Sequence, residues 1–156
     1  MKVAIGIKDS GIKAIAEELN KLLADTYTLY LKTQNFHWNV TGQLFYSLHL
    51  MFEKQYEELA EAVDVIAERI RTLGFHASAS FNEFSKLTRL KEATQGLSAE
   101  KMIHELLADH ETITRSCHEM MRIAQEAGDE GTVDLFIERM REHDKTAWML
   151  RSSILN

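Results

Sequence analysis

The sequence predicts an all-α fold, a four-helix bundle, from three observations. The 156 residues contain no proline. Five of the seven glycines (Gly42, Gly74, Gly96, Gly128, Gly131) fall between long stretches of 3.6-residue apolar periodicity. One connection, 74–97, is far longer than is usual inside a compact domain. The length fits one domain, 1–156, large enough to bury a core. Apolar residues at 45% and charged residues at 27% are ordinary for a soluble globular chain, and no apolar run approaches the ~20 residues of a membrane span.

The first helix is predicted over about 9–38, where Ile12, Ile15, Leu19, Leu22, Leu23, Thr26, Leu29, Tyr30, Thr33 and Phe36 recur at i, i+3, i+4 spacing. It ends in the turn around Asn39 to Gly42. The second, about 44–73, places Phe45, Leu48, Phe52, Tyr56, Leu59, Val63, Ile66 and Ile70 on one stripe. Within 74–97, Phe81, Phe84 and Leu87 predict a short helix lying against the bundle. The third long helix, about 98–127, starts after Gly96 with Ser98 as N-cap. It carries Ile103, Leu106, Leu107, His110, Ile113, Cys117, Met120 and Ala124. The fourth, about 131–154, carries Leu135, Phe136, Met140, His143, Ala147, Trp148, Leu150 and Ile154. A connection as long as 74–97 makes sense when it takes the chain from one end of the bundle to the other. Two antiparallel hairpins joined by one long crossover with a short helix in it are the ferritin-like topology.

The second helix also carries a stripe of acids, Glu53, Glu57, Glu61, Asp64 and Glu68, spaced four, four, three and four apart. Like charges at this spacing cost a few tenths of a kcal/mol per pair, and Lys54 and Arg69 are too few to neutralise them. A solvated acidic face is the ordinary explanation. His49 argues for more, because it sits at the seam between the apolar and acidic faces, and a His–Glu pair at i, i+4 suits one metal. With His49 as zero and ~100° per residue, Glu53 falls at about +40°, Asp64 at about +60° and Glu68 at about +100°. Yet at ~1.5 Å rise, Asp64 lies about 22 Å and Glu68 about 28 Å along the helix from His49, while metal–ligand bonds are ~2.0–2.2 Å. One helix cannot close that site. An antiparallel copy of it would bring His49 and Glu53 of one chain beside Asp64 and Glu68 of the other, so the spacing predicts a twofold dimer with two equivalent sites. Mixed nitrogen and oxygen donors suit iron(II) and also accept zinc, manganese or cobalt.

His37, just before the turn, approaches the start of the second helix across a tight hairpin; taken alone, a histidine there caps the helix C-terminus. Trp38 is expected in core or interface packing, or bordering the metal, where its ring would quench oxidising species. His104, His110, His118 and His143 are expected to be packing residues, His76 to be exposed, and Cys117, the sole cysteine, to be a small core residue with no disulfide. The last two long helices contain no Glu-x-x-His, the spacing of di-iron centres within a bundle, which again favours a shared site. The segment MKVAIGIKDSG is too short an apolar stretch for a secretory signal, so a cytoplasmic home is expected. The net charge of −6 disfavours nonspecific attraction to nucleic acid.

The chain resembles the Dps proteins, ferritin-like proteins named for DNA protection in starved cells. The resemblance rests on NFHWNVTG at 35–42, FYSLHLMFE at 45–53 and DVIAER at 64–69 and runs over essentially the whole length. It implies a homododecameric shell in which His37, His49 and Glu53 of one chain and Asp64 and Glu68 of its partner form a ferroxidase centre, with Trp38 adjacent. Glu53 stands where many relatives carry aspartate, a longer carboxylate of the same ligand chemistry. The implied reaction is oxidation of iron(II), preferably by hydrogen peroxide rather than oxygen, with ferric mineral stored inside. Asp129, Glu130 and Asp134 resemble acids lining threefold entry pores, although acids favour any helix N-terminus; Glu57 and Glu61 are candidates for guiding or nucleating iron. Relatives that coat DNA often carry a lysine-rich tail, whereas here only Lys2, Lys8 and Lys13 precede or open the first helix and the chain ends SSILN. DNA binding is therefore expected to be weak or absent. The competing readings are a DNA-compacting nucleoid protein with secondary iron chemistry, and a helical oligomer whose acidic stripe is purely structural.

Overall fold

A computed structural model of the chain describes residues 3–154. Among these it forms α1 (Asp9–Asn39), α2 (Phe45–Thr72), α3 (Phe81–Leu87), α4 (Ala99–Ala127) and α5 (Glu130–Ser152), with no strand. Every expected helix is present, its ends within two residues of those predicted. Lys2 and the last two residues of the SSILN segment lie outside the described residues.

Local signals account for the helix ends. Ser98 Oγ accepts the Lys101 amide at 3.3 Å, as a helix N-cap should. Ser80 and Glu83 form a reciprocal capping box on α3, in which the Glu83 amide donates to Ser80 Oγ and the Glu83 carboxylate accepts from Ser80 Oγ and the Ala79 amide. Gly128 closes α4 at φ +77°, a conformation that only glycine adopts without strain, and lets α5 begin at once.

α1 packs along α2 and α4 along α5; α1 also packs on α4, α3 rests on α1, and α2 and α5 touch only lightly. The crossover is fastened to α1 in steps. Asn20 donates to the His76 carbonyl at 3.2 Å and accepts the Ser78 amide at 2.9 Å. One turn further along α1, the fully buried Asp25 accepts from Thr88 Oγ1 at 2.9 Å, the Arg89 amide at 2.6 Å and Arg89 Nε at 2.8 Å. The crossover thus travels the length of α1 and delivers α4 beside the α1–α2 turn, where Thr41, Leu44, Ala99 and Ile103 border one groove. Among the described residues no helix is long and apolar enough to cross a membrane.

Most of the expected core is buried, with some corrections. Phe45, the first residue of α2, is 43% exposed. Trp148 is 62% exposed, since Met140, His143, Ala147 and Leu150 already form the inward stripe of α5 and Trp148 falls on the outward side with Asp144. His104 and His118 are exposed rather than packed, one beside Glu100 and the other beside Glu119. Cys117 is buried as expected, and burial pushes its thiol up to about 12.

The interior also holds charge. Lys32 Nζ, nearly buried, donates to Asp109 at 2.7 Å and ties α1 to α4; burial still raises the Asp109 carboxyl above its ordinary range. Arg139 of α5 forms a two-pronged pair with Glu58 of α2 and lies 3.4 Å from His143 Nε2. His110 and His143 face each other, Nδ1 to Nδ1, at 2.8 Å, so one ring donates and the other accepts. Burial, aided by the Arg139 cation, pushes His110 down to about 3; burial, then His110 and Arg139, lowers His143 as well.

Both rings are therefore neutral in the folded chain and gain protons on unfolding once the pH falls below about 6.5. Their contribution is complete above that value and is lost as the pH falls, by ~1.4 kcal/mol per pH unit for each ring until its folded pKa is reached. Urea midpoints measured from pH 7 to pH 4 at fixed protein concentration should drop more steeply in the native chain than in a His110→Gln, His143→Gln double variant. Parallel profiles would refute this assignment.

Candidate metal centre

Where α1 ends and α2 begins, two histidines lock the helices together. His37 Nδ1 donates to the backbone carbonyl of His49 at 2.7 Å, and His49 Nδ1 donates to the carbonyl of His37 at 2.9 Å. The rings stack with centroids 3.8 Å apart and planes inclined by 16°. His37 thus bonds across to the first turns of the neighbouring helix rather than capping its own. The His37 carbonyl belongs to the last turn of α1, where intrahelical partners run out, and His49 satisfies it. A carbonyl can only accept, so each bond fixes a proton on Nδ1, and in the neutral ring the lone pair then lies on Nε2. This is the tautomer a metal-binding imidazole needs, with its second nitrogen already held by a carbonyl.

Other groups crowd this clasp. Phe45 stacks on His49 at 5.2 Å. Tyr56 meets His37 edge-on at 5.2 Å. Burial raises the Tyr56 phenol above its ordinary value, with further contributions from Glu53, Glu57 and Tyr30, so it stays protonated. Glu53, half-buried, lies one turn beyond His49. Trp38 is 63% exposed, which removes it from the core of the chain.

The rest of the acidic stripe points outward. Glu57, Glu61, Asp64 and Glu68 are all exposed. Arg69, the nearest candidate to neutralise them, is committed elsewhere: Nε donates to Thr132 Oγ1 at 2.9 Å, and the guanidinium pairs with Asp129. Asp129 is 2% exposed and caps α5 by accepting the Thr132 amide at 3.0 Å. Its carboxylate is thus engaged by the cap and by Arg69. Glu130 and Asp134 are exposed.

Among the described residues, no three His, Cys, Asp or Glu side chains of one chain are gathered as a metal would need. The structure brings His37 and His49 together, with Glu53 a turn away; it leaves Asp64 and Glu68 far along α2. Two imidazoles and several hard carboxylates are a donor set that fits iron(II). In the bundle interior, by contrast, the Arg139 guanidinium lies beside His143 and puts a fixed cation next to the buried histidine pair. Tyr56 and Tyr30 were legible only as apolar-face residues; the available signal was the stripe Tyr27, Tyr30, Gln34 and His37 on one side of α1.

A family model for the ferritin-like domain matches residues 16–156. The chain is 40% identical over 140 residues to DNA protection during starvation protein 2 of Bacillus anthracis, covering 90% of this chain and 96% of that one. It superimposes on the X-ray structure of Dps from Thermosynechococcus elongatus with a TM-score of 0.91 at 31% identity, over 94% of each chain. The Dps protein of Vibrio cholerae O1, described as a member of a broad superfamily of ferritin-like diiron-carboxylate proteins, matches with a TM-score of 0.89 at 31% identity, over 96% of this chain and 97% of that one.

Proposed function

The chain belongs to the Dps family of ferritin-like proteins, and from that premise we propose that it is an iron-storing, detoxifying mini-ferritin whose ferroxidase centres are shared between subunits. Residues 1–156 form one such domain, which assembles through twofold dimers into a homododecamer in the cytoplasm. Iron(II) and hydrogen peroxide are the substrates, with oxygen the slower oxidant. The observation that carries this reading is the His37–His49 clasp, which presents two metal-ready nitrogens beside Glu53. Asp64 and Glu68 of a partner chain, lying antiparallel along α2, complete the set.

The chemistry follows from the donors. Two iron(II) ions give one electron each; peroxide takes both, its O–O bond breaks, and with two protons it leaves as two waters. No hydroxyl radical is released when the electrons arrive as a pair. Hard carboxylates favour the ferric product. Glu57 and Glu61, exposed and without cation partners among the described residues, guide or nucleate the mineral, and Glu130 and Asp134 remain the acids of the entry pore.

Replacing His37 and His49 together by alanine should abolish rapid peroxide-dependent iron oxidation while size-exclusion mass stays unchanged. A sharper arm tests the sharing. When chains carrying His37→Ala and His49→Ala are co-assembled with chains carrying Asp64→Ala and Glu68→Ala, each mixed dimer has one site built wholly from intact residues. Random pairing should then restore about a quarter of native activity from two inactive parents. Recovery no greater than that of the parents would sink the shared-site assignment.

A second reading, DNA compaction, is favoured by the name of the Bacillus anthracis relative. Charge opposes it: the net charge is −6, Lys8 is exposed but single, and Lys13 lies 3.8 Å from Glu17. Twelve copies would give some avidity at low salt. In a gel-shift assay at physiological salt, no retardation of linear DNA is expected; retardation there would restore compaction as a principal activity.

A further inference from the structure

From the metal-ready histidines an unbroken file of aromatic rings runs back along the bundle. His37 meets Tyr56 with ring centroids 5.2 Å apart, Tyr56 meets Tyr30 at 6.0 Å, and Tyr30 meets Tyr27 at 5.7 Å, all close to edge-on. Tyr27 then stacks on Phe84 of α3 at 4.9 Å. The file crosses between helices, with Tyr56 on α2 and Tyr30 and Tyr27 on α1. All three tyrosines are half-buried, and Gln34 Nε2 donates to the Tyr30 hydroxyl oxygen at 3.0 Å. That contact leaves the Tyr30 O–H free to donate and would stabilise the oxygen once its hydrogen is lost.

Packing alone is a sufficient reason for one such pair, worth ~0.5–1.5 kcal/mol. Three oxidisable phenols in succession, beginning against an imidazole assigned to iron, form an arrangement that packing does not require, since phenylalanine would pack as well. Electronic coupling falls off exponentially with separation, so short hops between neighbouring rings outrun one long jump. Trp38, by contrast, is mostly exposed and makes no ring contact among the described residues.

We infer that Tyr56, Tyr30 and Tyr27 form a redox relay that supplies the second electron to peroxide whenever only one iron(II) occupies the centre. The inference rests on the ferroxidase reading above. Without such a donor, one iron(II) reduces peroxide by a single electron and releases a hydroxyl radical. With it, iron(II) gives one electron and the Tyr56 phenol gives the other together with its proton. The O–O bond breaks, one further proton is taken up from the solvent pool, and both oxygens leave as water; iron(III) and a neutral tyrosyl radical remain. Tyr30 then reduces the Tyr56 radical, and Tyr27 reduces that of Tyr30, each donor losing its proton to solvent while the restored phenol regains one. When a second iron(II) arrives, its electron and one proton from solvent return the relay to phenol. The overall stoichiometry stays at two irons per peroxide, so no outside reductant is needed.

The test uses the assembled protein under anaerobic conditions, loaded with one iron(II) per centre and then given one equivalent of peroxide. Freeze-quench electron paramagnetic resonance should show a neutral tyrosyl radical, whose hyperfine splitting narrows in protein made with ring-deuterated tyrosine. A second equivalent of iron(II) should erase it. In Tyr56→Phe the radical should be lost and spin-trapped hydroxyl adducts should rise; in Tyr30→Phe it should form but decay faster. Ferric iron forming without a tyrosyl signal would overturn the relay alone. So would a signal that persists unchanged in Tyr56→Phe, or one that vanishes in Trp38→Phe instead. No ferric iron in the native protein would overturn the ferroxidase reading and take the relay with it.

Discussion

The reciprocal histidine clasp between the end of α1 and the start of α2 is the contact on which the candidate site depends. Each imidazole spends one nitrogen on a backbone carbonyl of the other's helix, so a structural bond and a chemical preparation are the same event. Individually these hydrogen bonds contribute on the order of 1 kcal/mol, which does not decide whether the bundle folds. Their larger effect is on the site, where they fix tautomer and ring orientation before any metal arrives. A chain that capped its helix ends with serine or glycine here would fold equally well and would offer no nitrogen ligands.

The acidic stripe shows how little electrostatic strain the fold has to absorb. Its four adjacent like-charge pairs cost on the order of 1–2 kcal/mol in total. Burial of Leu48, Phe52, Leu59, Ile66 and Ile70 on the neighbouring face of α2 stabilises by ~1.5–3 kcal/mol for each side chain. The helix therefore tolerates its carboxylates, and Arg69 is free to serve the α5 N-terminus through Asp129 instead of the stripe. On the proposed reading, the exposed acids are partners held for another chain and for iron.

Inside the bundle the arrangement is the opposite. Arg139, Glu58, His110 and His143 are joined in a buried network that spans α2, α4 and α5. Such networks are costly when one partner is missing, and they fix the register between helices that otherwise touch little, as α2 and α5 do. The chain thus separates its exposed acidic stripe from its charged core.

Much of this was readable from residue order alone, because helix formation is local. The absence of proline, the glycines between periodic stretches and the Ser98 cap located every helix, and the length of 74–97 dictated a crossover. Helical spacing also placed His49, Glu53, Asp64 and Glu68 on one face, with too much distance between them for one chain. What spacing could not reveal was anything that depends on contact between helices: that His37 bonds to α2 rather than capping α1, that Asp129 serves Arg69, that His110 and His143 are hydrogen-bonded to each other, and that Phe45 and Trp148 face outward. A helical wheel gives direction from one axis but not what stands opposite. Only the packed chain decides which polar group finds a partner, and the aromatic file from His37 to Phe84 exists because three helices bring together rings that lie dozens of residues apart.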